Sequence, residues 1–210
     1  MSTSEPIQFF PPEAPEDRAR ADLYALIARL FYAPPDAELL HMLAEADELV
    51  GEDDSVPLAE AWGNLQRACA ATDEEAVQQE YDALLIGVGK AVVPPYIGAH
   101  IIGAHMAQSG ADTLLVELRA YLAERGLGRR DAVSEPEDHI AALCELMRHL
   151  ISVQQAGIDE QRECFHRFVH PGALRLCDAI ETAGEANFYK TVSRFAKSFF
   201  ELEHMAFEML

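Results

Sequence analysis

Residues 186–209 constrain the fold more than any other stretch of this chain. At about 100° per residue, Phe188, Val192, Phe195, Phe199, Leu202 and Ala206 fall within roughly 40° of one direction. Tyr189, Ala196, Phe200 and Phe207 form a second stripe about 100° away. So wide an apolar arc asks for a helix packed between several neighbours, or covered in part by a partner subunit.

The same three- and four-residue spacing recurs upstream. Arg18–Tyr32 carries Leu23, Leu26, Ile27, Leu30 and Phe31, and Pro34-Pro35 stops the run. Asp36 is suited to cap a second helix that reaches about Val50, and a turn through Pro57 leads to a third over Leu58–Ala71. Thr72-Asp-Glu-Glu75 has capping-box spacing and predicts a fourth helix ending near Gly87. Residues 88–111 break the rhythm, and Pro94-Pro95-Tyr96 is held extended because a residue before proline avoids the helical region. A helix is expected from Asp112 to Gly126. A polar linker follows, with a candidate hinge at 126–134, and then helices at about 135–155, 159–169, 171–183 and 186–209. No strand pattern or repeat is present. The expectation is all-α: a loose tail over 1–15 with four prolines, then a single compact helical domain over 16–210 of about eight to ten helices.

Composition narrows the function. Half of the 210 residues are hydrophobic, enough for a sizeable core, and the net charge is −20. The charge is uneven: residues 1–89 carry 4 basic and 19 acidic side chains, the remainder 12 and 17. Such a field repels nucleic acid and anionic membranes and attracts basic peptides. No apolar run approaches a membrane span, and the N-terminus lacks a secretory signal, which points to the cytoplasm. Cys69, Cys144, Cys164 and Cys177 form no CxxC pair and are expected as reduced, mostly buried thiols. There is no phosphate loop, nucleophile elbow or H-E-x-x-H, so no enzyme activity is expected.

Residues 134–150 concentrate the chemistry. Ser134 and Glu137 have capping-box spacing, Pro136 suits a first helical turn, and Glu135, Glu137 and Asp138 suit the positive end of a helix starting near 135. His139 has no such explanation. On that helix it lies at the rim of the core stripe, with Asp138 nearly opposite the stripe. Glu163-x-x-His166 and Glu201-x-x-His204 match the ligand element of di-iron bundles. That alternative, a helical metal- or cofactor-binding enzyme, needs both pairs to point inward. Glu201 and His204 lie about 140–160° from the apolar direction of their helix, so no metal site is expected. His166 and His170 are four apart, but Pro171 predicts a helix break. Tyr81, Leu84 and Leu85, followed by Pro94-Pro95-Tyr96, make either an apolar lip for a basic amphipathic peptide or an ordinary packing contact.

In order, Tyr81-x-x-Leu84-Leu85-Ile86-Gly87, Pro94-Pro95-Tyr96, Glu135-Pro-Glu-Asp138-His139-Ile140 and Glu145-Leu-Met147 resemble the signature of the TorD/DmsD/NarJ chaperones. Phe165-x-x-x-x-His170 resembles the same family's aromatic-and-histidine segment. The resemblance spans roughly residues 18–205 and implies a TorD-like cytoplasmic chaperone of anaerobic respiration. Such a protein binds the twin-arginine signal peptide and the apo-form of a molybdopterin oxidoreductase, and holds export back until the cofactor is loaded. The implied client classes are dimethyl sulfoxide, trimethylamine oxide and nitrate reductases and formate dehydrogenases. The resemblance maps peptide binding onto Tyr81, Leu84, Leu85, Pro95, Tyr96, Glu135, Asp138 and His139, with Phe165 and His170 as secondary candidates. It implies no resident cofactor. Contact with molybdopterin or a guanine nucleotide rests on family analogy alone, and the oligomeric state is a monomer or a domain-swapped dimer. If Asp138 pairs with a peptide arginine, Asp138→Asn weakens peptide binding and flattens its salt dependence. Affinity unchanged by the mutation across a salt series would refute that pairing.

Overall fold

In the computed structural model, which describes residues 14–49, 56–87, 90–101, 107–128 and 135–210, the wide apolar arc of the C-terminal segment is fully used. Helix α9 (Phe188–Met209) buries Phe188, Tyr189, Val192, Phe195, Ala196, Phe199, Phe200 and Phe207. It is covered by α3 (Val56–Ala71) and α8 (His170–Thr182), with α1 (Pro15–Tyr32) and α4 (Glu74–Tyr81) touching it as well. Ring contacts lock these helices: Tyr24 meets Phe199 edge to face at 4.8 Å, and Trp62 meets Phe195 at a tilt at 5.5 Å. The fold is all-α, and the described residues contain no strand. None of the described helices is long and apolar enough to cross a membrane.

The remaining elements are α2 (Ala37–Ala44), α5 (Ala107–Glu124), α6 (Ile140–Ser152) and α7 (Ile158–Cys164). Helix α1 lies along α6. The local chemistry follows the capping rules, with shifts. Asp36 caps α2 by accepting from the Leu39 N–H at 2.9 Å, but the helix stops at Ala44, short of Val50. The cap of α4 is Asp73, which accepts from the Ala76 N–H, rather than Thr72 one residue earlier. Helix α5 begins at Ala107, ahead of the expected Asp112. It ends at Glu124, two residues short of the expected Gly126, and the Leu127 N–H reaches back to the Leu122 carbonyl at 2.9 Å. Most of the expected tail (1–13) and of the expected hinge (129–134) lies outside the described residues.

No break occurs at Pro171. Helix α7 runs through one π-helical turn, Phe165–Val169, directly into α8. Pro171 sits in the first turn of α8, where its missing N–H is not needed. A second π-helical turn, Asp82–Ile86, ends α4 and turns the chain back towards Tyr96. Helix α9 is capped from outside its own sequence. The Glu80 carboxylate on α4 accepts from the backbone N–H groups of Asn187, Phe188 and Tyr189 at 2.7–2.9 Å. An anion is favoured at that positive helix end. All four cysteines are free and buried.

Among the described residues, two carboxylates lie inside, Asp138 and Glu203. Glu203 on α9 is 3% exposed. It accepts from Arg20 through both oxygens, at 2.7 and 2.9 Å, and from the Tyr24 hydroxyl at 2.9 Å. Arg20 also donates to Gln161 on α7, whose amide donates on to the Ala156 carbonyl. Burial alone would weaken the Arg20 guanidinium as a cation, but the hydrogen bond and charge of Glu203 reverse this and raise its pKa. Removing the acid leaves a largely buried cation with only the more exposed Asp17 as a charge partner, at 3.0 Å, a loss worth about 3 kcal/mol in comparable pairs. Glu203→Ala is therefore expected to destabilise the fold by roughly that amount in urea unfolding, whereas replacing Arg20 and Glu203 together with methionine costs far less.

Candidate functional site

The segment after the Asp82–Ile86 π-helical turn returns through Val93, whose N–H donates to the Leu84 carbonyl at 2.9 Å. It then meets the start of α6. The Ile97 N–H donates to the Asp138 carbonyl and the Ile140 N–H to the Pro95 carbonyl, both at 2.9 Å, so Tyr96 and His139 form an isolated antiparallel bridge. Their rings meet edge to face at 5.5 Å. The two regions singled out in the sequence, Pro95-Tyr96 and Asp138-His139, are thus in direct contact.

The roles inside this contact differ from those expected. Helix α6 begins at Ile140, not near 135, and its cap is His139: the ring Nδ1 accepts from the Ala141 N–H at 3.1 Å. The histidine that capping seemed unable to explain is itself the cap. Ser134 lies outside the described residues, and Glu137 instead pairs with Arg119 on α5 at 2.9 Å. Asp138 and His139 are buried rather than at a solvent rim. Asp138 turns its Oδ2 inward to accept from the Gly98 N–H at 3.0 Å. An arginine ligand would have to compete with that bond.

Two glycines permit the arrangement. A Cβ on Gly98 would stand 2.8 Å from the Asp138 carboxylate and 2.8 Å from the Ala111 Cβ. A Cβ on Gly172 of α8 would stand 2.6 Å from the Ile97 carbonyl oxygen. The short 3₁₀ turn Ile97–His100 is therefore pressed between α5, α8 and the Asp138 side chain. His100 secures its near end through a 2.8 Å contact with the Pro94 carbonyl. Ile97-Gly98 was legible as a loop, but its close approach to Asp138 was not.

Tyr81, Leu84 and Leu85 do not form an open lip. All three are buried. The Tyr81 hydroxyl donates to the Tyr32 carbonyl at 2.9 Å, and its ring packs against Tyr189. Burial, with the nearby carboxylates Asp82 and Glu135, raises the Tyr81 pKa to about 12. Tyr96 is raised for the same reasons: burial first, then Glu135 and Asp138. Phe165 is also core, packed on Phe207, while His170 is half-buried and stacked on His204. Neither lines the space described next.

That space is a cleft of about 580 Å³ between α1, α5 and α6, lined also by Glu135, Pro136, Glu137 and His139 ahead of α6. Leu118, Leu122, Leu127, Ala142 and Leu146 make its apolar wall, and the 61%-exposed Tyr32 stands at its edge. Glu135, Glu137 and Glu145 supply its acids, with Arg29 as the basic lining residue. Of the residues expected to bind peptide, Glu135 and His139 line it; Tyr81 and Tyr96 support that part of the lining from behind. Charge makes this cleft a poor fit for an anionic, phosphate-bearing ligand such as a guanine nucleotide or a molybdopterin. Of the alternative di-iron ligands, His166 and His204 meet, but the glutamates do not join them: Glu163 is exposed and bound to Arg167 at 2.6 Å, and Glu201 is exposed.

The family model of the nitrate reductase delta subunit matches residues 52–177, more than half of the chain. The match runs from α3 into α8 and includes the loop and helix start just described.

Burial lowers the His139 pKa to about 4, against a small opposing pull from Glu135. The unfolded chain holds this proton from its ordinary value near 6.5 downward. The neutral cap therefore contributes fully above about pH 6.5, and its contribution is lost as pH falls towards 4. Asp138, raised by burial, acts in the opposite sense at the acid end of that window. Stability should drop by on the order of 2–3 kcal/mol between pH 7 and 4 in wild type relative to His139→Asn, which keeps a capping oxygen and the Asp138 contribution. Parallel urea-unfolding curves for the two proteins across that range would contradict it.

Proposed function

The chain belongs to the nitrate reductase delta subunit family, a family of molybdoenzyme maturation chaperones rather than catalysts, and from that premise we propose that it binds the twin-arginine signal peptide of a molybdopterin oxidoreductase precursor in the cytoplasm. It retains the apo-enzyme there until the cofactor is inserted. The observation that carries this reading is the cleft between α1, α5 and α6, apolar along its wall and acidic where Glu135 and Glu137 line it.

A twin-arginine peptide has two adjacent cations followed by an apolar stretch. The cleft offers the matching order: carboxylates ahead of α6, then leucine and alanine side chains along α5 and α6. Apolar burial supplies the affinity and the glutamates supply orientation. A net charge of −20 draws the basic end in and makes association salt-dependent. Asp138 and His139 act as positioning residues: one holds the Ile97–His100 turn and the other starts α6, so the carboxylate of Glu135 is presented from a fixed backbone. Tyr81, Leu84, Leu85, Pro95 and Tyr96 support that part of the cleft from the core.

The test is fluorescence anisotropy with a labelled twin-arginine peptide and a twin-lysine control. Ala142 is exposed on the cleft wall, so Ala142→Arg should fill the cleft without disturbing the core and lower affinity at least about tenfold. Glu135→Gln should lower it about fivefold and shrink the difference between the two peptides. Wild-type affinity in Ala142→Arg, or equal binding of both peptides by the wild type, would reject the site.

A further inference from the structure

A second cluster lies apart from the cleft and shares none of its lining residues. His166 stands in the π-helical turn between α7 and α8, and His170 opens α8. His204 and Glu208 occupy positions four apart on α9, so they share one face. The π-helical turn takes the place of an ordinary turn and sets His166 and His170 edge to face at 5.8 Å. Packing of α8 on α9 then brings the two pairs together. The His166 Nε2 lies 3.2 Å from the His204 Nδ1 and 3.8 Å from a Glu208 carboxylate oxygen. One ligand atom from each of His166, His204 and Glu208 falls within 4.8 Å of the others.

We propose that His166, His204 and Glu208 form a binding site for a divalent transition-metal ion of the zinc class. Two nitrogens held by a tetrahedral zinc at about 2.0–2.1 Å are separated by about 3.3 Å, close to the spacing found here. Two imidazoles and a carboxylate match a borderline ion such as Zn²⁺, Co²⁺ or Ni²⁺, and do not match Mg²⁺ or Ca²⁺, which take oxygen ligands. His170 stacks on His204 at 4.2 Å and 21°, which sets the plane of that ring. His166 and His204 are half-buried and Glu208 is exposed, so the ion enters from solvent and keeps a coordination position open to water. The charge of Arg162 reaches His166, and Arg162 is itself paired with Asp159. The site differs from a di-iron centre, because it joins histidine to histidine across α8 and α9 and leaves Glu163 and Glu201 out.

The experiment is titration calorimetry of the untagged full-length protein with zinc chloride, with cobalt chloride followed by its d–d absorption. The expected result is one equivalent bound with Kd at or below about 10 µM. His204→Gln should weaken binding at least about 100-fold, and Glu208→Gln, at an exposed position that does not affect folding, about tenfold. His41→Ala with His149→Ala should leave it unchanged. Circular dichroism confirms that each variant is folded. No saturable uptake by wild type, an octahedral cobalt spectrum, or wild-type affinity in Glu208→Gln would overturn the site. Peptide binding by Ala142→Arg and by wild type is read without metal, so the two proposals fail separately.

Discussion

The ion pair between Arg20 and Glu203 closes the structure. It joins the first helix to the last across 183 residues of sequence. Through Gln161 it also anchors the start of α7. A buried carboxylate is costly unless it is paired with a cation and both its oxygens are hydrogen-bonded. Glu203 meets that requirement with two bonds from one guanidinium and one from Tyr24. Few other placements of α1 on α9 would satisfy it. The pair therefore selects one packing among the many that an apolar stripe alone would allow.

With α1 and α9 set, α6 is pinned along α1, and the cleft is what remains between α1, α6 and α5. Its lining ahead of α6 depends on a second satisfied polar group. Asp138 is buried and bonded to the Gly98 N–H, and His139 is buried and bonded to the Ala141 N–H. These two residues are functional in the sense that they hold a loop and a helix end together. Of the acids beside them, Glu135 is half-buried and Glu145 is exposed.

Much of the fold was legible because burial writes a period into the chain. The arc of α9, the stop at Pro34-Pro35 and the Asp36 cap each depend on neighbours within a few residues, and each is present. Departures occur where a distant group supplies what local sequence lacks. Glu80 caps α9 from another helix, so Asn187 has no capping bond of its own. Pro171 ends nothing, because the π-helical turn ahead of it lets α7 pass into α8. At the candidate site, the order of Tyr81, Pro95-Tyr96 and Asp138-His139 marked segments that the fold brings together, but not which side chains point out. Leu84 and Leu85 are core because the Asp82–Ile86 π-helical turn rotates them inward.

The sequence by itself determined the helical class, the segment order, the acidic field and the buried, unpaired state of the cysteines. These follow from composition and from spacing along one helix, which are local quantities. Only the tertiary structure decided that Asp138 faces Gly98, that His139 is a cap, that Glu203 is an inside charge, and that His166 meets His204. Each of these is a contact between residues far apart in the chain, where burial and hydrogen-bond satisfaction set the role of a side chain, and residue type alone does not encode which partner it will find.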